Sequence, residues 1–307
     1  MNGLDSAKSG KAGPIGGDSC LTNALTVDVE DYFQVQALAT HFPHSSWDSV
    51  PRRVGANVEG LLYLLSTEDI RATFFTLGWI AERHPDMVRR IVAGGHELAS
   101  HGYDHRRADE LTPAEFREDI RRTKGTIEDI GGVLVTGYRA PTFSIGASNR
   151  WAYDILEEEG YRYSSSSYPI RHDLYGDVAG CRTPFRPGTG RLWEFPLSTR
   201  RFFRQNVPSA GGGYFRLLPY WFSRMNLRQI NVVEKAPCIF YFHPWELDPG
   251  QPRVSGISRR ARLRHYMNLG VMQHRLSRLI RDFRWGPMDE VFAERLGVPS
   301  SQATETP

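Results

Sequence analysis

The feature that most constrains this chain is a rhythm. Short β-rich runs alternate with amphipathic stretches from Ala24 to Ser164. Ala24–Val29 reads as a strand, and Val54–Leu65 has the apolar spacing of a helix. Ala72–Leu77 (A-T-F-F-T-L) is again strand-like, and helical spacing over Ile80–Val92 stops at Gly94-Gly95. His96–Ser100, Val133–Tyr138 and Tyr161–Ser164 read as further strands. Between them, Thr112 opens a helix with Pro113 in its first turn, running to Ile130, and Ser148 caps another that ends at Glu159. This order predicts parallel βα units, in an open doubly wound sheet or a closed barrel. Beyond Tyr168 a Pro-, Gly- and Arg-rich loop runs to Arg191. It is followed by a strand at Leu192–Leu197, an amphipathic stretch over 217–233, a buried strand at Pro237–Phe242 and a long helix over Leu263–Phe283.

Composition narrows the function classes. With 40% hydrophobic and 24% charged residues, the chain is neither disordered nor collagen-like nor a coiled coil. A net charge of +3 is too small for a protein that coats nucleic acid, so no nucleic-acid partner is expected. The charge is uneven, however: Gly250–Trp285 holds nine Arg, no Lys and one acid, Asp282. That stretch is either a solvated basic face or a contact for an anionic polymer or membrane-surface head groups. Cys20, Cys181 and Cys238 form no C-x-x-C pair, which argues against a thiolate zinc site or a disulfide framework. Met1–Thr22 reads as a flexible tail without a signal peptide, and no apolar run reaches the ~18 residues of a membrane span, so the expected compartment is the cytoplasm. No G-x-G-x-x-G or Walker A pattern is present, and Gly211-Gly212-Gly213 reads as a tight turn or flexible loop.

Four polar clusters follow four of the predicted strands. Thr26-Val27-Asp28-Val29-Glu30-Asp31 places acids at a strand end, with Asp28 and Glu30 on one face. Ser100-His101-Gly102-Tyr103-Asp104-His105 spaces two imidazoles four apart, suited to one metal if the loop coils into a helical turn. Tyr138-Arg139-Ala140-Pro141-Thr142 and Tyr241-Phe242-His243-Pro244-Trp245 complete the set. In parallel α/β folds the carboxyl ends of the strands form the rim that binds ligands.

These motifs resemble the polysaccharide deacetylase family, the NodB homology or carbohydrate esterase 4 group. The family pattern is T-F-D-D, H-[ST]-x-x-H, R-x-P-[YF], a Trp-containing motif and L-x-H. Here T-V-D-V-E-D, S-H-G-Y-D-H, Y-R-A-P-T and Y-F-H occur in that order, over about Leu25–Trp245. More narrowly, L-T-V-D-V-E-D-Y-F-Q-V and F-Y-F-H-P-W-E-L-D-P, with the basic tail, resemble the exosortase-associated (XrtA, PEP-CTERM) deacetylases of exopolysaccharide gene clusters.

The resemblance implies a distorted (β/α)7 barrel over residues 23–249, with a basic helical extension over 250–292 packed on it and a flexible tail from 293. It implies removal of acetyl groups from N-acetylated sugars of an exopolysaccharide or its lipid-linked precursor, with one divalent ion: Zn2+ first, then Co2+, Mn2+ or Ni2+. Asp28 would be the general base, Arg139 its holder, His101 and His105 metal ligands, and His243 the general acid. The N–H of Thr142 would receive the oxyanion. The family's second Asp is Val29 here, so Glu30 becomes the third ligand, with Asp31 in reserve; strand parity favours Glu30. Ser164–Tyr168 stands where the Trp motif would be, leaving the partner of His243 open between Glu194 and Asp248. A hydrolase of a small cyclic amide or ureide is the alternative within the superfamily. A non-catalytic binding module is disfavoured by the complete residue set. Peripheral contact with the inner membrane is expected from the basic stretch, and the oligomeric state is left open.

Overall fold

The computed structural model describes residues 21–172, 176–177 and 179–297; most of the expected N-terminal tail, including Cys20, lies outside them. The strands are β1 (Thr22–Val29), β2 (Thr73–Thr76), β3 (Glu97–Ser100), β4 (Gly137–Tyr138), β5 (Tyr163–Ser164), β6 (Trp193–Glu194), β7 (Thr199–Phe202), β8 (Gln205–Pro208), β9 (Ile239–Phe242) and β10 (Arg284–Gly286). Eight of them form one sheet in the order β10-β1-β2-β3-β4-β5-β6, with β9 also on β1. Every pairing in it is parallel, and the sheet curls into a half-barrel. β7 and β8 form a separate antiparallel hairpin.

The helices are α1 (Val54–Thr67), α2 (Gly78–Arg83), α3 (Pro85–Ala93), α4 (Pro113–Gly131), α5 (Trp151–Glu158), α6 (Gly212–Leu217), α7 (Tyr220–Gln229), α8 (Arg259–Tyr266), α9 (Leu269–Asp282), α10 (Met288–Val291) and α11 (Ala293–Leu296). The start of α4 follows its sequence signals: Thr112 Oγ1 accepts from the Glu115 N–H at 3.3 Å, and Glu115 accepts from the Thr112 N–H at 2.9 Å. The helix ends at Gly132, with φ 67°.

Two predicted helices are broken. The stretch 80–92 divides into α2 and α3, because Pro85 lacks an N–H and forces His84 out of the helical region (φ −133°, ψ 56°). The stretch 263–283 divides into α8 and α9 at Asn268, which is left-handed at φ 56°. The segment 250–292 is also more than a helical extension, since it returns β10 to pair with Thr22–Ala24 of β1. Residues 293–296, expected in a flexible tail, form α11.

Strand parity sorts the side chains into two layers. Leu25, Val27 and Val29 of β1, Phe74 of β2, Leu98 of β3, Tyr138 of β4, and Phe240 and Phe242 of β9 belong to the core beneath the helices. Ala24, Phe75, Ala99, Ile239 and Tyr241 belong to a second cluster inside the curl. Asp28, His101, Arg139 and His243 have the parity of the inner set, so the pleat aims them into the lumen.

The amino-terminal end of the sheet carries a half-buried carboxyl. Glu97 accepts from Thr73 Oγ1 at 2.6 Å, Tyr163 OH at 2.7 Å and the Asp289 N–H at 3.2 Å. Burial, reinforced by the charge of Asp289, pushes its pKa up from 4.5 to about 8. The fold therefore favours the protonated form. The stability this confers is present below the unfolded value and is lost as pH rises through about 8. The melting temperature should fall between about pH 5 and about pH 9, and Glu97→Gln should flatten that slope, as thermal melts across the range would show.

Candidate active site

The lumen end of β1 holds a buried ion pair. Arg139 Nη1 donates to Asp28 Oδ1 at 2.6 Å and to Thr26 Oγ1 at 2.8 Å. Its Nε and Nη2 donate to the carbonyl and Oγ of Ser165, each at 3.1 Å, and its guanidinium lies 4.1 Å over the Phe75 ring. Ser166 Oγ accepts from the Ala140 N–H at 2.9 Å. The serine run that replaces the Trp motif thus fixes the strand end carrying Arg139. A fully buried guanidinium is tolerated because a carboxylate and several acceptors surround it.

Glu30, just beyond β1, sits between two imidazoles: His105 Nε2 is 3.1 Å from Oε2 and His243 Nε2 is 2.9 Å from Oε1. Burial alone would raise its pKa, but the positive charge of His105 and His243 outweighs that and holds it at about 2. His101 Nδ1 lies 2.8 Å from the Arg139 carbonyl. A carbonyl only accepts, so Nδ1 carries the proton and Nε2 keeps its lone pair. Burial, despite the opposing charge of Asp28, pushes the His101 pKa down to about 4, so the ring is neutral. The His101 and His105 rings stand 5.6 Å apart. No helical turn brings them together; a loop does, bent by positive φ at Gly102 (74°) and His105 (61°).

On the opposite wall, Glu246 Oε2 accepts from the His243 N–H at 2.9 Å and lies 3.1 Å from His243 Nδ1. Its other oxygen accepts from Arg216 Nε at 2.9 Å. Arg216 is buried on α6 and donates to the carbonyls of His265, Met267 and Arg264 near the end of α8, at 3.1, 2.6 and 3.2 Å. Burial would lower the His243 pKa, but the carboxylates of Glu30 and Glu246 raise it to about 10. Gly212 gives this carboxylate room: a Cβ there would meet Glu246 Oε2 at 1.8 Å. Two glycines of the triplet therefore serve close packing, Gly212 on Glu246 and Gly211 on Tyr241, while Gly213 has open space around it. Thr142, at φ 55° and ψ 26°, and Phe143, at φ 50°, hold consecutive left-handed conformations beside the same space.

Asp28, Glu30, His101, His105, Thr142 and His243 line one cavity of about 130 Å³, with Arg139 behind Asp28. Among the described residues, no three His, Cys, Asp or Glu side chains are already drawn into a metal cage. The donors nevertheless suit a divalent ion: Glu30 Oε2 is buried without a hydrogen bond, and His101 Nε2 keeps a free lone pair.

Asp31, the reserve ligand, is spent elsewhere. It accepts from the Tyr32 N–H at 2.8 Å and, at the start of α1, from the N–H groups of Arg53 at 2.6 Å and Val54 at 2.9 Å. Neither proposed partner of His243 reaches it, since Glu194 accepts from the Ser166 and Ser167 N–H groups and Asp248 pairs with Arg53. Sequence reasoning missed Glu246 and Arg216. The available signal was H-P-W-E, which puts an acid three residues after the histidine, across a proline that starts a turn.

Residues 44–164 match the polysaccharide deacetylase family, and residues 165–293 match a domain of unknown function, DUF3473. Over that first segment the chain is similar to polysaccharide deacetylases. It is 23% identical over 211 residues to the peptidoglycan deacetylase of Helicobacter pylori, covering 67% of each chain. It is 32% identical over 101 residues, 33% of this chain, to the peptidoglycan-N-acetylglucosamine deacetylase PgdA of Listeria monocytogenes, and that match spans only 20% of the Listeria protein. A Mycobacterium smegmatis crystal structure assigned to the polysaccharide deacetylases superposes with a TM-score of 0.58 at 21% identity, over 93% of this chain and 94% of that one. At that identity the likeness speaks to the fold, which is the expected (β/α)7 type.

Asp31→Ala should leave three backbone donors without their acceptor and cost about 3 kcal/mol. Denaturant unfolding measures the loss. Metal bound per folded molecule should not change, because Asp31 is a helix cap.

Proposed function

We propose that this protein is a metal-dependent N-deacetylase of N-acetylated glycans. One observation carries the reading. An arginine-held carboxylate, a second carboxylate, two imidazoles and a third, carboxylate-backed imidazole converge on one cavity at the carboxyl ends of parallel strands.

Glu30, His101 and His105 would hold the divalent ion, zinc first. When bound, such an ion supplies positive charge for the amide oxygen and makes a water acidic enough to attack near neutral pH. Asp28, oriented by Arg139, takes the proton of the attacking water. The Thr142 N–H, fixed by its left-handed backbone, donates to the oxyanion of the tetrahedral intermediate. His243, its Nδ1 held against the Glu246 carboxylate, gives its proton to the departing nitrogen, without which an amide nitrogen leaves poorly. Water adds across the C–N bond, releasing acetate and a free amino sugar.

The relatives reported above are named for peptidoglycan substrates, and the narrower sequence resemblance supports an exopolysaccharide or its lipid-linked precursor, met at the cytoplasmic face of a membrane. No specific feature favours the small cyclic amide.

Purified protein should contain one divalent ion and release acetate from N-acetylated oligosaccharides. His101→Ala should lose both metal and acetate release; full turnover by metal-stripped protein would overturn the reading. His243→Ala should keep its metal while kcat falls about 10²- to 10⁴-fold. Loss of metal from that variant would instead make His243 a ligand.

A further inference from the structure

From Phe195 to Val233 the chain has six Arg and no Asp or Glu; Arg216 is buried on Glu246 and Arg224 pairs with Asp282, which leaves Arg200, Arg201, Arg204 and Arg228 for this face. This segment also carries large apolar side chains that the fold leaves in water: Phe203 is 87% exposed, Trp221 63%, Val233 63% and Phe202 50%. The two phenylalanines stand at the tip of the β7–β8 hairpin, where Phe202 pairs with Gln205 and only Phe203 and Arg204 make the turn. Phe203 is left-handed there, at φ 52°. A two-residue turn ordinarily takes Asn or Gly in that conformation, so a bulky aromatic is a local cost, set against an edge contact with the neighbouring Phe202 ring at 4.7 Å between centroids. The hairpin packs against α7, and Arg200 Nη1 donates to Asn226 Oδ1 at 3.0 Å. Along α7 and the turn after it, Trp221, Met225, Arg228, Val232 and Val233 line a groove of about 610 Å³. The nearest acids are already neutralised, Glu234 by Arg182 at 2.9 Å and Asp282 by Arg224 at 2.7 Å.

We propose that the β7–β8 tip and the α7 groove form a docking face for an anionic phospholipid surface. Aromatic side chains prefer the head-group layer, and arginines around them meet lipid phosphates. Charge complementarity favours a lipid surface over a neutral protein partner. Among the described residues no helix is long and apolar enough to cross a membrane, so the attachment is peripheral. Of the nine arginines in the stretch 250–285, the expected contact, three on α9 are occupied with holding the fold. Arg275 donates to the carbonyls of Phe215, Arg216 and Leu218, Arg278 lies over the Tyr220 ring, and Arg281 pairs with Glu68.

Co-sedimentation of the full chain with vesicles tests this face. Wild-type protein should bind phosphatidylglycerol–phosphatidylcholine vesicles at low salt and not phosphatidylcholine alone. Arg201→Gln with Arg204→Gln should weaken partitioning by roughly fivefold per charge, about 25-fold for the pair. Phe203→Ser should weaken it about tenfold or more. Each variant should keep the wild-type melting temperature and acetate release from a soluble chito-oligosaccharide. Arg259→Gln with Arg262→Gln, in the C-terminal basic stretch, should bind as wild type. The proposal fails if wild-type protein ignores anionic vesicles, or if the hairpin variants bind undiminished. It also fails if the C-terminal pair alone abolishes binding. A dimer in solution that Phe203→Ser dissolves would make this face an interface between two copies, and would likewise overturn it.

Discussion

A guanidinium with no exposed surface lies in the curl of the sheet, and much of the architecture answers its requirements. Taking an arginine out of water costs several kcal/mol unless charge and acceptors replace the solvent. Asp28 and Thr26 supply them from β1, and Ser165 supplies them from the end of β5. Arg139, just past β4, therefore ties β1 across the curl to the ends of β4 and β5, which are not its neighbours in the sheet. Its backbone carbonyl also orients His101. One residue thus aims a carboxylate and selects the tautomer of an imidazole.

A second buried pair, Arg216 with Glu246, does the same for the opposite wall. Between the two pairs lies Glu30, whose carboxylate is stabilised by imidazoles on either side. The cavity is polar at its floor and packed with aromatic side chains around it. A water or an amide group placed there meets fixed charges that cannot reorient, which is the condition for electrostatic preorganisation.

Much of this was legible in the sequence, for a simple reason. A strand has period two, so an apolar run with a polar residue just past its end announces which face that residue takes. Leu25, Val27 and Val29 identify the outer face, and Asp28 and Glu30 follow on the other. The same logic reaches His101, Arg139 and His243. Irregular backbone was not legible. The two metal-spaced histidines are joined by a loop rather than a helical turn, and Asn268 breaks a helix that periodicity alone would continue. Pro85 did announce its break, against an apolar pattern that ran straight through it. Glu246 was hidden because an acid in a short turn resembles any solvated acid until its buried partner is known, and Arg216 lies 30 residues away along the chain. The site also crosses the boundary between the two matched segments: Asp28 and Glu30 precede residue 44, while Ser165, Arg216, His243 and Glu246 fall within 165–293. The DUF3473 segment is structurally half of the cavity.

Gly212 gives that division a practical edge. The hydrogen atom it presents to Glu246 is the whole clearance between a helix and a charged wall. Swapping the second segment for a homologous one that carries even a methyl at this position would wedge the two elements apart. A chimera could then fold, keep every polar residue of the cavity, and still have a misaligned imidazole. In transplanting such segments, the smallest side chain has to travel with the charged ones.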